Sequence, residues 1–346
     1  MRGIYGAHYD FVPQTFSLPN DYVKFVNVYA DEEHRGVRSM WICKPADQSR
    51  GRGIFVFRDL RQLTYDCNAV LQRYVANPLL ISGYKFDMRC YVVVRSYNPL
   101  VIYLNHEGLA RFATSPYTLE NNDVYAHLTN TSINKFSPYF EHEKEEVGSG
   151  CRWTLGKLRG WFESMNMDFN RVWKRIQATI ISTLLPIAAD VPPVPPGCFE
   201  LYGFDILLDE ALKPWLLEVN FGPALSMDSD VDVAIKKPLL QDILELIDVT
   251  DDEIASAEAT ARIAPSGKRR TQSAPSRDDT PRRNISSAGS SRKSPKATHL
   301  MSRANVGRLE RIFPFNAEMA QLSAHPLTVG KPVLKRIIQE VRKGFA

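Results

Sequence analysis

The chain has 346 residues, 44% of them hydrophobic, which is enough for one to three domains with a large core. The formal net charge of +4 is uneven, because residues 265–300 hold nine Lys and Arg against two Asp and so carry +7, leaving −3 for the rest. Any attraction to an acidic partner should therefore be local to that stretch. Five scattered cysteines without a CxxC pair argue against a disulfide framework and indicate a reducing compartment.

Targeting and zinc signals are missing from the sequence. The amino terminus has no apolar signal segment, and the longest mostly apolar run, at 180–189, is too short to span a bilayer. The seven histidines show no zinc spacing. We therefore predict a soluble cytosolic protein without a membrane partner.

A glycine-rich loop lies between the first two apolar strands. Residues 1–38 are mixed and too few for a domain of their own, and the strand SMWICKP then ends near Lys44. The loop, residues 46–53, contains Arg50 and Gly51, and its glycines tolerate the positive φ that a backbone nest around a phosphate requires. A solvated turn is the more common explanation of such a loop, and neither the P-loop nor the Rossmann fingerprint applies.

Two further strands place polar side chains at regular intervals. AVLQRYV predicts a strand that Gln72 and Arg73 interrupt, and the longer run after the Asn-Pro turn alternates strictly. One face of that run is charged and the other is apolar, although a half-exposed antiparallel strand alternates in the same way. The charged face carries Lys85, Asp87 and Arg89, and the apolar face carries Phe86, Met88 and Cys90.

The middle of the chain supplies more polar positions and then turns helical. A second hairpin places Arg111 on the next strand, and YAHLTNTSIN brings Thr129, Asn130 and Ser132 together. From 152 to 189 apolar residues recur at intervals of three and four, which predicts helices with core stripes. A later helix, from about 233 to 249, has Lys236 in its first turns, where a cation opposes the helix dipole and a solvated lysine is the simpler reading.

The segment 198–225 is the most informative part of the chain. Two apolar runs flank a short polar loop, as in a hairpin, and a symmetric loop places Asp205 nearly opposite Glu218, with Asn220 on the same face. Two carboxylates and an amide suit Mg²⁺, which leaves its other positions to water and phosphate oxygens. Ordinary rim charges are the alternative, yet acids in such apolar strands are costly unless paired or metal-bound.

The end of the chain changes in composition. Residues 265–300 are rich in Ser, Arg, Lys and Pro with few large apolar side chains, so we predict disorder and a weak attraction to an acidic polymer, such as a microtubule surface. Residues 332–343 predict a short amphipathic helix.

Five motifs in this order resemble the tubulin-tyrosine ligase-like family, in particular its polyglutamylase branch. They are KPADQSRGRGI, LQRYVANPLLISGYKFDMRCYVVV, GLARF, HLTNTSIN and FELYGFDILLDEALKPWLLEVN. The resemblance covers roughly residues 5–250 and implies an α+β, ATP-grasp-like fold with largely antiparallel sheets and packed helices, lacking the family's amino-terminal domain. It implies a remnant at 1–38, a central domain at 39–135, a carboxy-terminal domain with the metal site at 136–250, and a mostly disordered tail at 251–346.

The resemblance also implies roles for individual residues. ATP would be held by Lys44, Arg50, Gly51, Gln72, Arg73, Tyr74, Val75, Lys85, Phe86, Asp87, Thr129, Asn130 and Glu218. Mg²⁺ would be held by Asp205, Glu218 and Asn220. Glutamate substrates would be bound by Arg50, Arg111, Ser132, Arg152, Phe221 and Lys236. Catalysis would involve Arg50, Lys85, Arg89 and Glu218.

The implied activity is an ATP-dependent ligase that activates a glutamate side chain in a tubulin tail as an acyl phosphate and joins it to free glutamate. The implied location is the cytoplasm and cytoskeleton, with cilium, flagellum or basal body as narrower sites, and no nucleic-acid partner. Two alternatives stay open at this point. One is a catalytically impaired microtubule binder that uses the basic tail, and the other is a ligase that adds glycine or tyrosine.

Overall fold

The computed structural model describes residues 1–46, 51–63, 68–140, 147–148, 150–192, 197–247, 303–325 and 327–345. Arg50 and the basic stretch 265–300, with the disorder predicted for it, lie outside the described residues.

The described elements are short strands at both ends of the chain and long ones in the middle, with helices packed against them. The strands are β1 Thr15–Leu18, β2 Trp41–Pro45, β3 Phe55–Phe57, β4 Ala69–Arg73, β5 Leu80–Ile81, β6 Tyr84–Tyr97, β7 Leu100–Phe112, β8 Arg152–Thr154, β9 Glu200–Leu208, β10 Pro214–Phe221, β11 Asn305–Val306 and β12 Leu309–Phe313. The helices are α1 Arg2–Tyr5, α2 Tyr22–His34, α3 Val124–His127, α4 Thr131–Asn134, α5 Leu155–Ser164, α6 Phe169–Leu184, α7 Asp230–Leu246, α8 Ala317–Ser323 and α9 Pro332–Gly344.

These strands form two sheets. The smaller has the order β1-β4-β2-β3, and the larger has the order β10-β9-β6-β7-β12-β11, with β5 beside β6 and β8 beside β7. All pairings between these strands are antiparallel, which confirms the predicted α+β architecture with largely antiparallel sheets. A cleft, described below, lies where the two sheets meet.

The smaller sheet has its own aromatic core. Trp41 and Phe57 from its strands pack against Phe25 of α2, and the rings of Phe25 and Trp41 meet edge to face at 5.0 Å. Burial alternates along β1, as the period of a strand covered on one face requires. Residues 15–34 are thus built into this sheet.

The larger sheet is covered on both faces, and β6 shows this directly. Met88 and Cys90 belong to a core shared with α5, α6 and α9, whereas Tyr91 and Val93 belong to a second core shared with α7. This burial on both faces explains why the sequence of β6 is almost continuously apolar after its charged first residues. Because Lys85 and Asp87 are also buried, the charged end of β6 is not a half-exposed face.

The helices follow the predicted stripes. On α6 the residues Val172, Ile176, Ile180 and Leu184 are all buried, and the Asp168 carboxylate caps the helix by accepting from the Arg171 amide. Helix α7 begins three residues earlier than predicted, where Ser229 caps it. None of the described helices has both the length and the apolar character that crossing a bilayer demands.

The division between the sheets does not coincide with the expected domain boundary at residue 135. Strands β6 and β7, which precede that boundary, pair with β9 and β8, which follow it. The break between sheets falls instead between β4 and β5. Long antiparallel strands pair with whichever neighbour covers their apolar faces, and sequence order does not reveal that choice.

Part of the stretch expected to be a mostly disordered tail is folded, namely residues 303–325 and 327–345. Strand β12 pairs with β7, its Phe313 is fully buried, and α9 packs on α6 at the position predicted for the short helix. The segment returns to the domain near α7, where Arg303 Nη1 donates to the Glu245 carbonyl at 3.0 Å. Most of the large apolar residues of this segment are buried, Val306 and Leu309 in the core with α7 and the others in the core with α6, which offsets the cost of ordering it.

Candidate active site

A cleft of about 880 Å³ opens where the two sheets meet. Residues from β2 and β4 line one side, residues from β6, β7, β9 and β10 line the other, and α4 and α7 contribute to the rim. The sequence-predicted residues that line it are Lys44, Gly51, Gln72, Arg73, Tyr74, Val75, Lys85, Asp87, Arg89, Arg111, Thr129, Asn130, Ser132, Arg152, Asp205, Glu218, Asn220, Phe221 and Lys236. The fold thus brings together positions as far apart in sequence as 44 and 236.

Phe86 is the exception among the described candidates. Its side chain is 1% exposed and packs against the Phe112 ring at 5.5 Å, within the core beneath the sheet. Alternation along β6 places it on the opposite face from Lys85 and Asp87. A side-chain contact between Phe86 and a nucleotide in the cleft is therefore incompatible with the structure.

Arg73 also differs from the simple expectation, because its guanidinium turns away from the cleft. It forms an ion pair with Glu32 and lies 4.8 Å above the Trp41 ring. Its contribution to the cleft is therefore the strand backbone. The neighbouring Gln72 points the other way, and its Oε1 accepts from Lys44 Nζ at 2.9 Å.

The hairpin of β9 and β10 has the predicted register. Asp205 is paired directly with Glu218, and a bulge between Leu216 and Glu218 adjusts the strand just before this pair. The Asn220 amide Nδ2 lies 3.1 Å from Glu218 Oε1 and 3.4 Å from Asp205 Oδ2. The three side chains therefore converge on one point of the cleft.

Two arginines neutralise the buried aspartate of this group. Asp205 is 2% exposed, and it pairs with Arg89 and with Arg111, whose Nη2 lies 2.9 Å from Asp205 Oδ2. Arg111 also pairs with Asp87, so that arginine and carboxylate alternate across β7, β6 and β9. Burial opposes ionisation, but Arg111 and Arg89 hold the pKa of the Asp205 carboxyl well below its ordinary value.

Glu218 has the opposite tendency. Burial raises the pKa of its carboxyl, and the negative charge of Asp205 raises it further. Two adjacent carboxylates whose pKa values are driven apart are typical of a site that holds a proton or a cation between them.

Two lysines lie near this acidic group, Lys44 on β2 across the cleft and Lys85 on β6 in the same sheet as Asp205. Lys44 donates to Gln72 and, at 3.3 Å, to the Leu217 carbonyl of β10, and burial lowers its pKa. Lys85 donates to the Tyr74 hydroxyl and the His127 carbonyl, each at 2.8 Å. Burial lowers the pKa of Lys85 to about 7.

The loop from α3 to α4 forms the rim beside the glycine-rich loop. Gly51 has φ 76°, and a Cβ at this position would meet Ile133 Cδ1 at 2.3 Å. Only glycine allows the chain to pass this close to Asn130 and its neighbours. Glycine is therefore favoured at this position both by its positive φ and by the close approach of Ile133.

A second charged group lines the cleft beside Arg111, whose partner on the neighbouring strand is Arg152. Asp232, on the first turn of α7, pairs with Arg152 Nη1 at 2.6 Å and with Lys236 Nζ at 2.7 Å, and accepts from Ser229 Oγ at 2.9 Å. Burial opposes its ionisation, but Lys236 and Arg152 hold the pKa of Asp232 below its ordinary value. Lys236 is thus buried and paired, not solvated.

Asp232 and His127 are among the cleft residues that were absent from the sequence prediction. Asp232 stands four residues before Lys236, a spacing that places both on one helix face and could have indicated the pair. His127 opens the HLTN motif and is 1% exposed against Tyr74. Nothing in its immediate sequence predicts that contact.

An antiparallel two-sheet body with a basic and acidic cleft between its layers defines an ATP-grasp-like domain. A family model described as the tubulin-tyrosine ligase family matches residues 1–256, and the chain belongs to that family.

Several curated relatives carry the same family relationship. The chain is 49% identical over 251 residues to "Probable tubulin polyglutamylase TTLL2" of Homo sapiens, covering 71% of this chain and 42% of the relative. It is 39% identical over 270 residues to "Tubulin polyglutamylase TTLL5" of Mus musculus, covering 75% and 20% respectively. It is 37% identical over 263 residues to "Probable alpha-tubulin polyglutamylase Ttll1" of Tetrahymena thermophila, covering 70% and 61%. The chain thus spans less than half the length of the first two relatives.

Proposed function

We propose that this chain is an ATP-dependent ligase that adds glutamate to glutamate side chains in tubulin tails. The observation that carries the proposal is the convergence of Asp205, Glu218 and Asn220 in one cleft with two lysines, the half-buried Lys44 and the buried Lys85. An acidic group for a metal opposite cations for phosphates is the arrangement that phosphoryl transfer requires. The names of the relatives, which describe tubulin polyglutamylases, support the same reading.

The nucleotide would lie along β4 and the start of β6. The backbone of residues 72–75 would form the adenine edge, Lys44 and Lys85 would face phosphates, and Thr129 and Asn130 would complete the rim. A volume of about 880 Å³ lies within the range of small-ligand sites and leaves room for an amino acid beside ATP.

The residues of the hairpin fit a magnesium ion. Asp205 and Glu218 supply carboxylate oxygens, and a divalent cation between them would offset the burial and the repulsion from Asp205 that raise the pKa of Glu218. Asn220 would present its carbonyl oxygen after a half-turn of the amide, which now donates to Glu218. The ion would neutralise charge on the transferred phosphoryl group.

The free glutamate would bind beside the group formed by Asp232, Arg152 and Lys236, next to Arg111. Arg111, Arg152 and Lys236 supply cations for its two carboxylates, and Ser132 lines the same wall. Phe221 is 74% exposed at the cleft mouth, where it would contact the incoming tubulin tail. Arg50, expected at the same place, lies outside the described residues.

The chemistry needs alignment and charge neutralisation more than a protein nucleophile. An oxygen of the acceptor carboxylate would attack the γ-phosphorus of ATP, releasing ADP and forming an acyl phosphate. The amine of free glutamate would then attack the acyl carbon, expel phosphate, lose a proton and leave an isopeptide bond. Arg89 and Arg111 would stabilise the anionic oxygens that develop during both steps.

The direct test is to incubate the purified chain with tubulin and Mg-ATP in three parallel reactions containing labelled glutamate, glycine or tyrosine. We expect only glutamate to become covalently attached to tubulin. In the cell, this reaction would take place in the cytoplasm, on the cytoskeleton. Attachment of glycine or tyrosine would replace the proposed donor, and no attachment of any label would overturn the ligase assignment.

A further inference from the structure

A closed hydrogen-bond chain lies beneath the proposed adenine edge. It joins His127 to Tyr74 and Lys85, and all three side chains are at least nine-tenths buried while lining the cleft. Tyr74 and Lys85 belong to the expected nucleotide site, whereas no role is assigned above to the side chain of His127.

The partners of His127 determine its tautomer. Its Nε2 lies 2.8 Å from the Asn121 carbonyl, which can only accept, so Nε2 carries the proton. In the neutral ring Nδ1 must then accept, and the Tyr74 hydroxyl donates to it at 2.9 Å. Burial lowers the pKa of His127, which keeps the ring neutral.

The direction of the tyrosine hydroxyl in turn directs Lys85. Because the Tyr74 proton points to His127, its oxygen lone pairs are free to accept from Lys85 Nζ at 2.8 Å. The His127 carbonyl accepts a second N–H from the same ammonium at 2.8 Å. These two bonds use two of the three N–H groups of Lys85 and leave the third for an acceptor in the cleft.

We propose that His127 is a positioning residue for the nucleotide, acting through the Tyr74 hydroxyl to aim the Lys85 ammonium. The proposal rests on the proposed ATP site, since Lys85 is the group that would contact the ligand. Without the Nδ1 acceptor, the buried Tyr74 hydroxyl would lose the partner that fixes its position, and the Lys85 ammonium would lose a fixed acceptor. The nucleotide would then meet a lysine that is reoriented or uncharged.

Two amide variants separate this role from simple packing. His127→Asn places an acceptor near the position of Nδ1 and keeps the Tyr74 contact, whereas His127→Gln reaches the Asn121 carbonyl and loses the Tyr74 acceptor. Both remove the ring and leave one buried hydrogen bond, so we expect comparable losses of thermal stability. The probe is a non-hydrolysable ATP analogue, and its dissociation constant is measured by calorimetry on the intact chain without tubulin.

We expect His127→Gln to weaken binding of the analogue about tenfold and His127→Asn to weaken it by less than about threefold. In a Tyr74→Phe background His127→Gln should have little further effect, because the hydroxyl that it acts through is gone. Equal affinities of the two amide variants, or additive effects with Tyr74→Phe, would overturn the positioning role. Analogue binding by the wild type without glutamate transfer to tubulin would instead overturn only the ligase assignment, and no binding by the wild type would overturn both.

Discussion

Asp205 lies directly opposite Glu218 across the β9–β10 hairpin, and the two carboxylates differ sharply in environment. Asp205 is paired with two arginines, whereas Glu218 has Lys44 as its nearest counter-charge and a raised pKa. The pair is therefore asymmetric, because the pKa of Asp205 is lowered and that of Glu218 is raised. This asymmetry identifies Glu218 as the position at which a neutral substitution is most informative.

Glu218→Gln should lower the rate of glutamate transfer about a hundredfold or more while leaving the fold intact. Glutamine keeps the volume and the contact with Asn220 but removes the charge that would serve the metal. Transfer of labelled glutamate to tubulin measures the loss, and circular dichroism checks the fold. Glu210→Gln, on the exposed turn of the same hairpin, is the matched control and should retain activity. Equal turnover in wild type and Glu218→Gln would refute the metal role.

Asp232→Asn should raise the KM for glutamate about tenfold and leave the KM for ATP unchanged. The buried carboxylate holds Arg152 and Lys236 at one end of the cleft, and without it the two like charges repel each other. Steady-state kinetics with each substrate varied in turn measures the split. Asp230→Asn, an exposed acid on the same helical turn, should change neither constant. A parallel rise in both constants would indicate general damage to the cleft.

Nucleotide affinity should fall as the pH rises above about 7. Burial lowers the pKa of Lys85 to about 7, so its ammonium loses the proton just above neutrality, whereas phosphates bind the charged form. Calorimetric titrations with ADP between about pH 6 and about pH 9 measure the trend, whose slope approaches about tenfold per pH unit.

Lys85→Met should bind ADP more weakly than wild type at pH 6, and its affinity for ADP should not change with pH.

The loss of the Lys85 proton changes folding stability in the opposite direction. Between about pH 7 and about pH 10.5 the unfolded chain holds a proton that the folded chain has released, so the contribution of Lys85 to folding stability increases with pH. An unchanged pH slope in Lys85→Met would show that another group titrates.

Phe313→Ala should lower the free energy of unfolding by about 3–5 kcal/mol, because the ring is fully buried on the strand that residues 303–345 add to the larger sheet. Denaturant titration followed by circular dichroism measures the loss. Leu244→Ala, at an apolar position that is 65% exposed, should stay within about 0.5 kcal/mol of wild type. If the carboxy-terminal segment were detached from the domain, both variants would behave alike.

Deleting residues 265–300 should weaken microtubule binding most at low salt. The stretch carries +7, so its removal changes the net charge from +4 to −3 and removes an attraction that salt screens. Co-sedimentation with microtubules at several ionic strengths measures the effect. A replacement of equal length with Gln at the nine basic positions should behave like the deletion. The assigned role would not survive a salt-independent result.

Much of the cleft could be predicted from local pattern. Asp205 and Glu218 were expected to face each other because a short symmetric loop leaves little freedom of register, and the bulge near Leu216 did not alter the pairing. Lys85 and Asp87 were expected on one face because alternation along a strand is obligatory. That same alternation places the Phe86 side chain in the core, so any contribution of this residue to the nucleotide site would come from its backbone.

The contacts that were missed join residues far apart in sequence. Arg152 and Asp232 are separated by 80 positions, and Tyr74 and His127 by 53. Such pairs depend on how α7 and α3 pack against the sheets, which no local pattern encodes. Strand β12 was missed for a different reason, since five residues beside a long polar stretch give little periodic signal.

The contact between Arg303 and the Glu245 carbonyl has a practical consequence for engineering. Glu245 and Arg303, which stand on either side of the interval 248–302, are neighbours on one surface. Closing a longer excursion between fixed neighbouring ends adds little free energy, since the entropy of closure grows only with the logarithm of length. A fluorescent protein or an affinity tag inserted within that interval should leave both sheets and the cleft undisturbed.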